Sequence, residues 1–282
     1  MTPQDEARQA IAAAGQLPDA ELDIASVALQ FARIDLPDAD WRAAAKLLSD
    51  IARRAVEAAA ADPAADSNSD PLRRRTVLAR VLVEEFGFRG DSETYDDPAN
   101  ANILQVLARR KGLPVALGIL WLHAADAAGW GAHGVDFPGH FLLALENPKG
   151  QVVVDVFNGG GALTAPELRG LIKRVEGPKA ELRPGLLAPM DKRAVLLRLQ
   201  NNIKLRRLRA NDLEGALSCT EDMLRLAPRH AALWREAGLM QHRLERIAAA
   251  LASLDRSLIL EPDGEAANRI RGLVEELRNR LN

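Results

Sequence analysis

Apolar positions along this chain recur first at a helical spacing, then briefly at a strand spacing, then at a helical spacing again. Between Glu21 and Ile34 they fall at Leu22, Ile24, Ala25, Ala28, Leu29 and Ala32, one face of a helix. Asp35–Asp40, with Pro37 inside, breaks the pattern. Trp41–Ala61 restarts it, with Ala45, Leu48, Ile51, Ala52 and Ala55 on one side. Asp62–Pro71 reads as a polar linker. Leu72–Glu85 reads as a helix that stops at Phe86-Gly87, where glycine suits a left-handed end. Asn100–Arg110 is amphipathic. After the interruption Gly112-Leu113-Pro114, Val115–Ala128 is apolar nearly all round, which predicts a buried helix. His140–Leu145 and Gln151–Phe157 then read as strands of an antiparallel hairpin turned at Asn147–Gly150. Pro166–Val175 is a short helix, and from Asp191 onward no strand signal remains.

The last segment repeats. Pro228 and Pro262 stand 34 residues apart, and Ala216 and Ala250 share that offset. Counting back from Pro262, Trp234, Ala237, Gly238, Ala250, Leu254 and Ser257 occupy the large and small packing positions of a tetratricopeptide repeat, which residues 230–263 resemble. The copy at 196–229 is weaker, with Gln200 in place of the tryptophan and Lys204 in place of the glycine. Asp263–Asn282 reads as a terminal helix. Such repeats imply a packed concave surface, so Trp234 joins the candidate binding residues.

Composition narrows the function. The 282 residues carry 37 Lys plus Arg against 39 Asp plus Glu, a formal charge of −2. A near-neutral chain with 4% aromatics is a poor nucleic-acid binder, so no direct nucleic-acid partner is expected. The charge is uneven: residues 1–70 hold 6 basic and 13 acidic side chains, and residues 191–282 hold 17 and 13. A single cysteine, Cys219, excludes an intrachain disulfide and a cysteine zinc cage. The opening Met-Thr-Pro-Gln-Asp-Glu is not a secretory signal, and no apolar run reaches membrane length. The expected setting is cytoplasmic, with no membrane contact.

Four stretches carry candidate chemistry: Tyr95-Asp96-Asp97-Pro98-Ala99-Asn100, Arg109-Arg110-Lys111-Gly112-Leu113-Pro114, Phe137-Pro138-Gly139-His140-Phe141-Leu142 and Asp155-Val156-Phe157-Asn158-Gly159-Gly160. With a turn at 147–150, Glu146 faces Gln151, so His140 faces Phe157 and Leu142 faces Asp155. His140 and Asp155 then share one sheet face as diagonal neighbours. Asp97 and Asn100 suit the cap of the helix that follows. Arg109, Arg110 and Lys111 suit the last turn of that helix, where cations meet the dipole; the other reading of them is a site for an anion or acidic partner. His123 and His133 have no metal-ligand spacing, and Gly159-Gly160-Gly161 reads as a turn, not a phosphate loop.

A buried helix followed by a His strand and an Asp strand resembles the transglutaminase-like, papain-related fold. In that family a Cys at the helix start attacks a carbonyl, the His activates it and the Asp orients the His. Here the nucleophile position falls at or next to Ala116, and no Cys, Ser or Thr lies in Gly112–Gly118. In its order of motifs the chain more closely resembles the bacterial family, known as SirB-type, that joins a transglutaminase-like domain to tetratricopeptide repeats. The resemblance implies an α+β fold in three segments: N-terminal helices (1–70), a small papain/transglutaminase-like core with an antiparallel sheet (71–190), and an all-α tetratricopeptide array with a terminal helix (191–282). It implies vestigial His140 and Asp155 beside a lost nucleophile at Ala116. Candidate binding residues are Tyr95, Asp97, Asn100, Arg110 and Trp234. No cofactor or metal is expected. The function expected is a non-catalytic module that binds a protein or peptide, in a regulatory role. The alternative is an amide or ester hydrolase with His140 as general base acting without a Cys nucleophile.

Overall fold

A computed structural model describes residues 1–65, 70–148 and 150–281. Part of the expected linker (66–69) and Lys149 of the expected turn lie outside the described residues. Two compact units emerge: residues 1–7 with 18–199, and residues 8–17 with 200–282.

The first unit begins with helices whose starts are written in the sequence. After α1 (Pro3–Ala14), α2 (Ile24–Asp35) is capped by Asp23, which accepts from the Ser26 N–H at 3.0 Å. Asp40 caps α3 (Trp41–Ala60) in the same way through Ala43, at 3.1 Å. Asp70 caps α4 (Pro71–Ala79), which widens into a π-helical turn over Arg80–Glu85. A short parallel pair, β1 (Arg89–Gly90) with β2 (Lys111–Gly112), brackets α5 (Ile103–Arg109). The buried helix is α6 (Pro114–Ala127), with Val115–Leu122 all out of solvent. It packs against α2, α3, α4 and α5 and against the central sheet.

The sheet runs antiparallel throughout in the order β6-β5-β4-β3-β7. Its strands are β3 (Gly131–Phe137), β4 (His140–Asn147), β5 (Gly150–Asp155), β6 (Gly161–Leu163) and β7 (Pro189–Met190). The expected register holds, with Glu146 opposite Gln151 and Leu143 opposite Val154. The strand before it went unpredicted. Gly134 interrupts the apolar alternation of β3, and the fold requires that glycine: a Cβ there would stand 2.7 Å from Val195 and 3.0 Å from the Phe141 ring. The Phe-Pro-Gly-His stretch is the two-residue turn between β3 and β4. Gly139 sits at φ +70°, the position a type II turn reserves for glycine.

The sheet has two distinct faces. Phe141 points to α6, where a Cβ on Gly118 would come within 2.2 Å of its ring. On the other face Val135, Phe137, Leu142, Ala144 and Val153 form a core with Leu168, Leu171 and Ile172 of α7 (Ala165–Glu176). Glu167 anchors the start of α7, accepting from the Thr164 N–H and hydroxyl at 2.7 Å each.

In the second unit, α8 (Lys192–Arg209, from Gln200 onward), α9 (Leu213–Leu226), α10 (Ala231–Arg243), α11 (Ile247–Leu260) and α12 (Glu265–Leu281) follow one another. The tight turns within the two helix pairs use left-handed residues at Asn211 (φ 57°) and Glu245 (φ 56°), again 34 apart. Gly238 lets α10 approach α11: a Cβ there would lie 2.6 Å from Leu254 and 3.2 Å from the Ala250 carbonyl. Ala216 and Ala250 are fully buried at the matching positions of α9 and α11. The weaker copy compensates with charge, since the buried Lys204 pairs with Glu236. Residues 8–17 also belong here; Arg8 donates to Asp222 at 2.9 Å.

Candidate functional site

The hairpin places His140 and Asp155 as the register demands, on one sheet face, and that face is the one against α7. His140 shares strand parity with Leu142 and Ala144, and Asp155 shares it with Val153, all in the α7 core. Phe141, one residue on, turns instead to Gly118 of α6. The imidazole and carboxylate therefore do not converge on the start of α6, as the resemblance to a catalytic arrangement implied. The reason is the period of two in a strand, which sends neighbours to opposite faces.

The two side chains are also differently employed. Asp155 accepts from the N–H groups of Phe157 (3.1 Å) and Asn158 (3.2 Å) and from the Asn158 amide (2.7 Å), so it builds the turn after β5. His140 makes no hydrogen bond to it. Burial lowers the His140 pKa below the usual imidazole value; the Asp155 charge opposes that shift and Arg174 adds to it. The ring is neutral at pH 7. Ala116 sits in the first turn of α6 with no exposure. Cys219 is far away in the chain, buried on α9 against the Gln200 carbonyl at 3.5 Å.

The Tyr95–Asn100 and Arg109–Pro114 stretches do meet. The centre of their network is Asp91, a residue the sequence reading passed over. It is 1% exposed and accepts from the Thr94 N–H (3.0 Å), the Thr94 hydroxyl (2.7 Å) and Arg109 Nη2 (2.8 Å). These donors, Thr94 foremost, hold its pKa at about 2. The Asp-x-x-Thr spacing was the available signal. Asn100 is fully buried. Its amide donates to the Thr94 carbonyl at 2.6 Å, and its oxygen accepts from Arg109 at 3.2 Å. Asp97 caps the short 3-10 turn Pro98–Ala101 through Ala99, at 2.8 Å. Asn102, not Asn100, caps α5, accepting from Leu104 at 3.0 Å. Tyr95 is half-exposed and sets its ring edge-on to Phe157 at 5.8 Å. Arg110 ends α5 and lies over Phe88 and Phe86.

Trp234 is committed to packing, its indole N–H donating to the Pro228 carbonyl at 2.9 Å. The open surface of the second unit lies elsewhere. A groove of about 250 Å³ runs between α8 and α10, lined by Asn201, Lys204, Leu205, Leu208, Glu236, Leu239, Met240 and Arg243. Leu205 and Leu239 are 41% and 39% exposed and lie 34 residues apart, the same position in two repeats.

This fold and repeat order define a class, a transglutaminase-like core followed by tetratricopeptide repeats. The transglutaminase-like superfamily profile matches residues 42–201, and a tetratricopeptide repeat profile matches residues 203–275. Among the relatives, a UPF0162 protein of Xylella fastidiosa is 31% identical over 93% of this chain and 92% of its own length. A UPF0162 protein of Vibrio cholerae is 32% identical over 74% and 77%, and UPF0162 protein YchA of Escherichia coli 26% over 72% and 76%. The chain belongs to this bacterial family of transglutaminase-like proteins. Among the described residues no helix is long and apolar enough to cross a membrane.

Proposed function

We propose that the chain is a non-catalytic transglutaminase-like protein that binds a protein or peptide partner, in a regulatory role. The reading rests above all on the groove between α8 and α10, where Leu205 and Leu239 keep large apolar side chains in solvent at a repeated position. Exposed apolar side chains in register along a concavity suit a partner's apolar residues. The absence of a nucleophile supports the first half of the reading. Gly112–Gly118 contains no hydroxyl or thiol, Ala116 is buried, and the Asp155 carboxylate is taken up by its own turn. In this division of labour residues 1–70 brace the core (71–190), and residues 191–282 recruit.

Two measurements test it. A Leu205→Asp/Leu239→Asp variant is expected to lose a partner captured by the wild type from its native cell, with its melting temperature unchanged. Retention of that partner removes the groove from the proposal. Thiol- and serine-directed probes are expected to leave the protein unlabelled except at Cys219. Amidase or esterase turnover that is lost in His140→Ala would instead establish the hydrolase alternative.

A further inference from the structure

Arg110 combines three unfavourable features at one residue. Its backbone stands at φ 60°, where glycine or asparagine would end α5 with less strain. Its guanidinium lies 4.9 Å from the Phe88 ring centroid and 5.9 Å from that of Phe86, so aromatic surface replaces water on it. Its Nη1 is buried with no acceptor. Nothing among the described residues neutralises it: burial alone acts on its pKa, downward, with no carboxylate opposing.

Its neighbours are treated differently. Arg109 is held by Asp91 at 2.8 Å and Lys111 by Glu93 at 2.9 Å, so the flanking cations are each paired within the fold. A second unpaired cation starts beside it. The Arg89 N–H donates to the Arg110 carbonyl at 3.0 Å, and Arg89 is exposed and in no ion pair among the described residues. A desolvated guanidinium with an orphan donor is uncommon in a folded protein and points to a group that arrives from outside.

We propose that Arg110 anchors a site for an oxyanion, the carboxylate or phosphate of a small ligand. A guanidinium offers a planar fork that takes such a group with two parallel hydrogen bonds, and stacking on Phe88 and Phe86 fixes the plane of that fork in advance. Arg89 supplies further positive potential at the loop. The site is independent of the groove, which involves other residues in the other unit.

The test uses the full-length protein with inorganic phosphate and acetate as separate probes, against chloride at matched ionic strength. The Nε–H resonance of Arg110, identified by its disappearance in Arg110→Lys, is expected to shift saturably with at least one oxyanion. The melting temperature is expected to rise over the same concentration range. Arg110→Gln removes that rise, Lys111→Gln keeps it, and Arg110→Lys weakens the apparent affinity about tenfold because a point charge replaces the fork. The responding arm tells phosphate from carboxylate. The proposal fails if neither oxyanion moves the resonance beyond chloride, or if Arg110→Gln keeps the rise. Should Arg110→Gln not fold, the wild-type resonance titration decides.

Discussion

Asp91 is the residue whose environment is most completely specified. Two bonds from Thr94 and one from Arg109 converge on a carboxylate with almost no exposure. Asp91→Asn keeps the shape but loses the charge that orients Arg109, and Arg109 then stands beside Asn100 with one acceptor fewer. The expected result is a lower melting temperature at pH 7 and almost no difference at pH 2, where the wild-type carboxylate is itself being protonated. Ala116 gives the second test at this scale. Ala116→Cys places a thiol in a fully buried first turn with His140 on the other sheet face. Its reaction with iodoacetamide is expected to be slow and limited by unfolding, with no activated thiolate. A fast reaction at neutral pH would mean that the imidazole reaches the helix start after all.

Among the elements, the repeat helices offer an internal comparison. Gly238 and Gly272 lie at the same repeat position on α10 and α12, 34 residues apart. Gly238 is pressed on Leu254 and the Ala250 backbone, while a Cβ added at Gly272 would meet nothing within 4 Å. The difference follows from architecture: α10 has α11 against it, and α12 occupies the first-helix place of a third repeat whose second helix is not among the described elements. Gly238→Ala is expected to cost about 1–3 kcal/mol by overpacking. Gly272→Ala is expected to gain about 0.5–1 kcal/mol, because alanine restricts the unfolded chain and favours the helix. Urea unfolding of both variants checks the pair, and equal effects of the same sign would contradict this account of α12. Helix starts were readable at this scale because Asp23, Asp40 and Asp212 are local caps. The strand β3 was not, since Gly134 answers to Phe141 and Val195 from distant parts of the chain.

At the scale of the molecule, acid acts in two steps. His133 and His140 have pKa values lowered by burial, so in the folded protein they stay neutral below the pH at which the unfolded chain takes up their protons. Stability therefore falls as pH drops below about 6.5. Asp91 adds a second loss between its ordinary value of 3.8 and about 2, where its folded carboxylate is protonated. His133→Gln/His140→Gln is expected to flatten the first decline and leave the second. Asp91→Asn should do the reverse, as melting temperatures measured from pH 7 to pH 2 will report. Both steps belong to the first unit, which holds all three groups.

Local physics carried the sequence reading far: the helices, the hairpin register and the 34-residue repeat all follow from period, capping and turn chemistry over a few dozen residues. That Ala116 lacks a reactive group is likewise plain from the residue itself. Which face of the sheet meets which helix was decided only by packing in three dimensions, because a strand's alternation says that two residues share a side and not what covers it. For the same reason the fold alone disclosed that Trp234 is spent on Pro228, that Asp91 gathers the donors around it, and that Arg110 is left without a counter-charge.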